Sequence, residues 1–140
     1  MNSTKLMLGT LVGTIVYFFS GWLIYGILLK DTMSNMMSAE AKMLNKAEPD
    51  LILIALSCLV GAFLLAYIFE KWAGIRTLAA GAMAGAIISG LMTLSYDLGF
   101  LAMTNMFSSP SGIVTDVLVS AVSGAIGGGS IGWMLGFNRS

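Results

Sequence analysis

The sequence contains no histidine, one cysteine and two prolines in 140 residues. The missing histidine removes imidazole zinc ligands, Ser-His triads and histidine proton relays together. The lone Cys58 has no partner for a disulfide within the chain. It lies in an apolar run, where the role of a small apolar residue is expected. Charge is scarce too: 10% of the residues are charged, against roughly 25% in soluble domains. The formal net charge is zero and no Lys/Arg run is present, so nucleic acid is not an expected partner. There is no nucleophile–base set, phosphate loop or metal box, so neither enzymatic activity nor a cofactor is expected.

What the sequence has is apolar mass, at 57% of residues and a mean hydropathy of +0.89. It falls into four stretches, over residues 6–29, 51–69, 78–103 and 113–137. The first is free of charge, and at about 1.5 Å rise per residue its length of roughly 36 Å spans a bilayer with some tilt. Its apolar core exceeds the 7–15 residues usual in a cleaved leader, and no small-x-small site follows, so a retained helix is expected. Unsatisfied backbone is costly in hydrocarbon, which leaves helices or a closed barrel. The runs are continuous rather than alternating, which excludes the barrel. The expected fold is therefore an all-α integral membrane bundle of four transmembrane helices in one domain, with the lipid bilayer as its main partner.

Four spans place both termini on one side, with Lys5, Lys71, Arg76 and Arg139. The other side, called the loop side below, carries Lys30, Lys42 and Lys46. This slight bias predicts cytoplasmic termini. In the 30–50 loop, Met33, Met36, Met37, Ala41, Leu44 and Ala47 recur at helical spacing, which predicts a short amphipathic helix on the surface or capping the bundle. Pro49 is expected in the first turn of the second span.

Small residues are patterned. Ser120, Gly124, Gly128, Gly132 and Gly136 repeat every four residues, and Gly81 and Gly85 make a shorter series, as do Gly9 and Gly13. Small residues let helix backbones approach closely in lipid, so these faces are expected to pack against a helix. The partner is either another helix of this chain, which is the first expectation, or another membrane protein, including a second copy. The segment from Gly9 to Ile15 also echoes that from Gly81 to Ile87, and Val60–Ala66 echoes Ile131–Phe137. An offset near 72 would make two tandem helical hairpins related by a pseudo-two-fold axis along the membrane normal.

Asp97 and Asp116 are the acidic residues inside the third and fourth runs. Both stand about nine residues from the centre of the hairpin near Met106–Phe107, so they are expected at similar depth in the loop-side half, with Tyr25 in reach of Asp97. One reading is a proton or cation site with a proton held between two close carboxylates. The plainer reading makes Asp116 a helix-N-terminal residue at the headgroups and gives Asp97 a hydrogen bond to Tyr25, Ser95 or backbone. Trp22, Trp72 and Tyr25 fall near the ends of spans, where amphipathic rings anchor to the interface. Six of the methionines, among them Met33, Met36, Met103 and Met106, map to the loop side. Thioethers suit Cu(I), but without His or Cys beside them they read as adaptable apolar residues, and no metal is expected.

The run Gly21-Trp22-Leu-Ile-Tyr25-Gly26 at the end of the first span, followed by a polar loop and three more helices, resembles a family of small bacterial membrane proteins known only as a domain of unknown function. The resemblance covers nearly the whole chain and rests on the Trp-x-x-Tyr-Gly pattern. It implies a four-helix membrane fold in a bacterial inner membrane, and no activity. Two functional classes follow from the residues. One is small-ion or proton-linked transport or permeation through the loop-side carboxylates. The other is a structural or assembly partner that binds membrane proteins through its glycine faces.

Overall fold

The computed structural model describes residues 1–137. Arg139, counted above in the charge bias, lies outside the described residues. The chain is all-helical: α1 (Ser3–Leu23), α2 (Lys30–Met36), α3 (Ala39–Lys42), α4 (Leu51–Tyr67), α5 (Leu78–Met103) and α6 (Ser111–Gly136). Helices α1 and α4 each continue into a π-helical turn, Ile24–Leu28 and Ile68–Ala73. Four segments are long and apolar enough to cross a membrane: Ser3–Leu28, Leu51–Ala73, Leu78–Met103 and Ser111–Gly136.

The helix ends have local causes. Asn2 caps α1 by accepting from the Lys5 backbone N–H at 3.1 Å. Asp50 caps α4 by accepting from Ile52 and Leu53 N–H, so Pro49 precedes the helix rather than opening its first turn. Thr77 caps α5 through Ala80 N–H. The second span runs four residues beyond its apolar stretch, which puts Glu70, Lys71 and Trp72 in the helix rather than in a loop. It ends at Gly74, whose φ of 63° is the left-handed conformation a helix stop favours.

Helices α5 and α6 pack along their whole length, and the glycine stripe is the reason. An added Cβ on Gly81 would stand 3.1 Å from Cα of Gly132, and one on Gly85 2.9 Å from Cα of Gly128. Gly124 faces the Gly85 carbonyl, and Gly136 the Arg76 carbonyl. The stripe is thus occupied within the chain. A second face of α6 meets α1. Gly9 lies against Leu135, Gly13 against Ile131 and Ala62, and Gly127 against the ring of Tyr17. Leu6, Ala62, Leu65, Ala66, Phe69, Ile131 and Leu135 form the core where α1, α4 and α6 converge toward the termini.

The hairpins α1–α4 and α5–α6 follow each other in tandem, but their packing is not two-fold. Such an axis would make the α1–α6 and α4–α5 contacts alike. Instead α1 and α6 pack closely while α4 and α5 barely touch. The order across the bundle is α4, α1, α6, α5. The echo of Gly9 and Gly13 in Gly81 and Gly85 therefore marks two different packings: one pair receives side chains of α6, the other its backbone.

On the loop side the expected amphipathic helix is two short helices, broken at Met37–Ser38. The break exists because the chain there pairs with the other loop. Ser38 N–H donates to Met106 carbonyl and Ser108 N–H to Met36 carbonyl, both at 2.9 Å, bridging Met37 to Phe107. Met33, Met36, Met37 and Ala41 turn inward as expected, but Leu44 is 82% exposed and Ala47 is exposed too, so the inward pattern ends at Ala41.

Candidate functional site

Two features interrupt the apolar interior of the loop-side half. The first is a carboxylate pair. Asp97 lies six residues before the end of α5 and Asp116 five residues after the start of α6. At about 1.5 Å per residue, both sit roughly 7–9 Å inside the helix ends. Asp116 is past the first turn of α6, so the helix N-terminus does not account for it. Asp97 is 5% exposed and Asp116 half-buried. Their side chains face one another across the α5–α6 contact as direct neighbours, and Tyr25 lies near both.

Asp97 Oδ2 is enclosed and has no hydrogen-bond partner among the described residues. The bond to Tyr25, Ser95 or backbone that would make it a plain structural residue is not formed at that oxygen. Ionised carboxylates are acceptors only, so two of them cannot hydrogen-bond each other; one proton between them supplies the missing donor. Tyr25 approaches from the π-helical turn, where Leu29 N–H reaches back to Ile24 carbonyl at 2.8 Å. A π turn reorients the side chains it carries relative to an unbroken α-helix, and such turns recur at functional sites. Tyr25 itself is 39% exposed.

The second feature is a cavity of about 780 Å³ bounded by α1, α4, α5 and α6. Tyr25 lines it; Asp97 and Asp116 do not. One wall carries hydroxyls. Thr93 and Ser120 join side chain to side chain at 2.6 Å, and Ser120 donates to the Ser89 carbonyl at 3.2 Å. Ser123 also lines the cavity, and its enclosed Oγ has no partner among the described residues. Tyr17 reaches the same wall, with its hydroxyl against Ser89 and its ring over Gly127.

Trp22 and Trp72 are 60% and 70% exposed near the ends of their spans. Trp72 meets Tyr67 edge-on at 5.4 Å, and Lys71 donates to the Tyr67 hydroxyl at 2.9 Å. Trp22 also lines the cavity, as does Cys58. The loop-side methionines do not converge: Met43 and Met103 are 85% and 77% exposed, whereas Met36 packs at Gly112. No cluster of three His, Cys, Asp or Glu side chains occurs among the described residues.

Near the termini a polar latch went unread in the sequence. Glu70 is buried, accepts the Asn2 N–H at 2.9 Å and pairs with Arg76. Lys5 Nζ donates to the carbonyls of Leu135 and Phe137, both at 3.3 Å, at the C-terminus of α6. The hydroxyl wall was unread as well, though its signal was there. Ser89 continues the Gly81, Gly85 series and Ser120 begins the Gly124 series, so packing had to bring the two together.

No family model, curated protein or solved structure matches this chain.

Proposed function

We propose that this membrane protein carries out small-ion or proton-linked transport or permeation, with Asp97 and Asp116 as the exchanging groups and Tyr25 beside them. One observation carries this reading: Asp97 is buried in a membrane-spanning helix, its Oδ2 has no donor among the described residues, and a second carboxylate faces it. An ionisable group inside the bilayer is costly and is kept where it serves a pathway or relay. A proton is the smallest ligand that satisfies two facing carboxylates. A small cation is the other. We place the protein in a bacterial inner membrane with both termini in the cytoplasm, so that the pair lies toward the outer surface.

The assembly reading requires a free glycine face, and the main stripe of α6 is taken up by α5. That observation favours the carboxylate reading over it. The test is flux. Purified protein in vesicles with an entrapped pH-sensitive dye is driven by a potassium gradient with valinomycin. Wild type is expected to acidify or alkalinise the lumen faster than protein-free vesicles, and Asp97→Asn to abolish the difference. Equal flux through wild type and Asp97→Asn would sink the proposal, as would wild-type flux no greater than that of empty vesicles under proton, sodium and potassium gradients.

A further inference from the structure

The cavity excludes both carboxylates, though Tyr25 borders it as well as them, and its shape follows from the open order of the bundle. Helices α1, α4 and α6 close on one another near the termini, while α4 and α5 barely touch. Toward the loop side the gap between α4 and α5 becomes a chamber of about 780 Å³, within the roughly 300–1,000 Å³ range of small-molecule pockets.

Its walls differ in chemistry. Phe18, Trp22, Leu51, Ile54, Leu64 and Leu65 make the α1 and α4 side mainly hydrocarbon, interrupted by Ser57 and by the rings of Tyr17 and Tyr25. On the α5 and α6 side Ser89, Thr93 and Ser120 bring hydroxyls, set among Ile88 and Met92. Among the described residues no Lys, Arg, Asp or Glu lines it. The hydroxyls are also deep, since Ser89 and Ser120 lie near the middles of two 26-residue helices. A charged headgroup at that depth would be left uncompensated. A pure hydrocarbon would leave the hydroxyl wall facing apolar atoms. An uncharged molecule with an apolar body and one hydrogen-bonding group meets both walls.

We propose that this cavity binds an uncharged, membrane-dissolved amphiphile, a hydrocarbon body carrying a hydroxyl or carbonyl, which reaches it from the bilayer between α4 and α5 and sets its polar atom against Ser89 and Thr93. The proposal does not rest on the carboxylate reading, and Asp97→Asn is expected to leave this binding unchanged.

The test uses a long-chain primary alcohol with a diazirine in its chain, photolysed on the full-length protein in vesicles, with labelled peptides mapped by mass spectrometry. Labelling is expected to saturate, to fall on 51–64 of α4 and 88–96 of α5, and to be competed by the unlabelled alcohol but not by an equal-length quaternary ammonium. Gly61 lines the cavity, and an added Cβ there meets nothing within 4 Å, so Gly61→Phe fills the chamber without a clash at Cβ. Thr93→Val keeps the shape and removes one hydroxyl. Saturable labelling is expected to drop about tenfold in each, the equivalent of roughly 1.4 kcal/mol. The thermal melting of each variant separates lost binding from lost fold. Labelling that never saturates, competition by the ammonium as effective as by the alcohol, or full labelling of both folded variants would overturn the proposal. So would photocrosslinks that join two copies of the chain through this cavity, since a second copy would then be its occupant.

Discussion

Gly85 and Gly128 meet backbone to backbone, so close that a methyl on Gly85 would stand 2.9 Å from the partner's Cα. Backbone cannot step aside as a flexible side-chain tip can. The contact therefore fixes the distance between α5 and α6, and with it the separation of the carboxylates those helices carry.

Gly85→Ala and Gly128→Leu are expected to lower stability in detergent by at least the roughly 1–3 kcal/mol typical of overpacking, with the leucine the worse. Gly99→Ala is the control, since an added Cβ there meets nothing within 4 Å. It is expected to be neutral or to stabilise by up to about 1 kcal/mol, the helix preference for alanine. Unfolding curves that rank the three variants in any other order would show that the stripe does not set the packing.

Tyr17 and Gly127 form the corresponding lock between α1 and α6. Gly127→Ala is expected to displace the Tyr17 ring and destabilise the protein. In the double variant with Tyr17→Ala, the alanine at 127 is expected to cost less than in the wild-type background. A double-mutant cycle measures the difference, expected at about 0.5–3 kcal/mol; additive effects would mean that the ring does not press on residue 127.

Much of this architecture was legible in the chain because lipid imposes few solutions. Four charge-poor runs had to be helices, and glycines four apart had to face a neighbour. The depth match of Asp97 and Asp116 followed from counting residues from one turn. What was not legible depended on how helices sit across the bundle. Gly127 is off the stripe, and nothing in the sequence says that Tyr17 fills the space above it. The π turn that carries Tyr25 has no sequence mark. Glu70 reads as a loop charge until the second span is seen to run on through it. The period of Met33–Ala47 predicts a continuous loop helix, and it breaks because 106–108 pairs with it, a long-range contact that local spacing does not encode.

The Glu70–Arg76 latch is asymmetric, and its variants should reflect this. The Glu70 side chain is 4% exposed and that of Arg76 20%. Arg76→Ala leaves a buried carboxylate with only the Asn2 N–H, and is expected to cost about 3–5 kcal/mol. Glu70→Gln keeps an acceptor for Asn2 and leaves an arginine that water can reach, for roughly 1–3 kcal/mol. Chemical denaturation of both variants is the check. A Glu70→Gln cost equal to or above that of Arg76→Ala would contradict the burial difference.

Orientation can be read by labelling. With Cys58 replaced by Ala, a cysteine substituted for exposed Asn45 is expected to react with an impermeant maleimide on intact cells. A cysteine substituted for exposed Thr4 is expected to react only after the membrane is opened. The reverse pattern would place the carboxylate pair toward the cytoplasm.

The last prediction separates a proton from a metal cation at Asp97 and Asp116. If a proton fills the site, an amide is a close substitute, because its NH₂ supplies the donor the pair lacks. Asp97→Asn is then expected to stay within about 1 kcal/mol of wild type, the worth of a typical hydrogen bond. The double variant Asp97→Asn/Asp116→Asn is expected to be no less stable, and neither variant should respond to added sodium or potassium. If a cation fills the site, wild type should instead gain stability as the cation is added, by RT ln(1 + [L]/Kd), and both variants should lose that gain. Asp97→Leu offers no donor to Asp116 and should be the worst of the set in either case. Thermal unfolding of the variants across sodium and potassium concentrations distinguishes the outcomes. A cation-dependent rise confined to wild type would replace the proton with that ion, and an Asp97→Leu variant as stable as wild type would remove the pair from the structure's polar framework altogether.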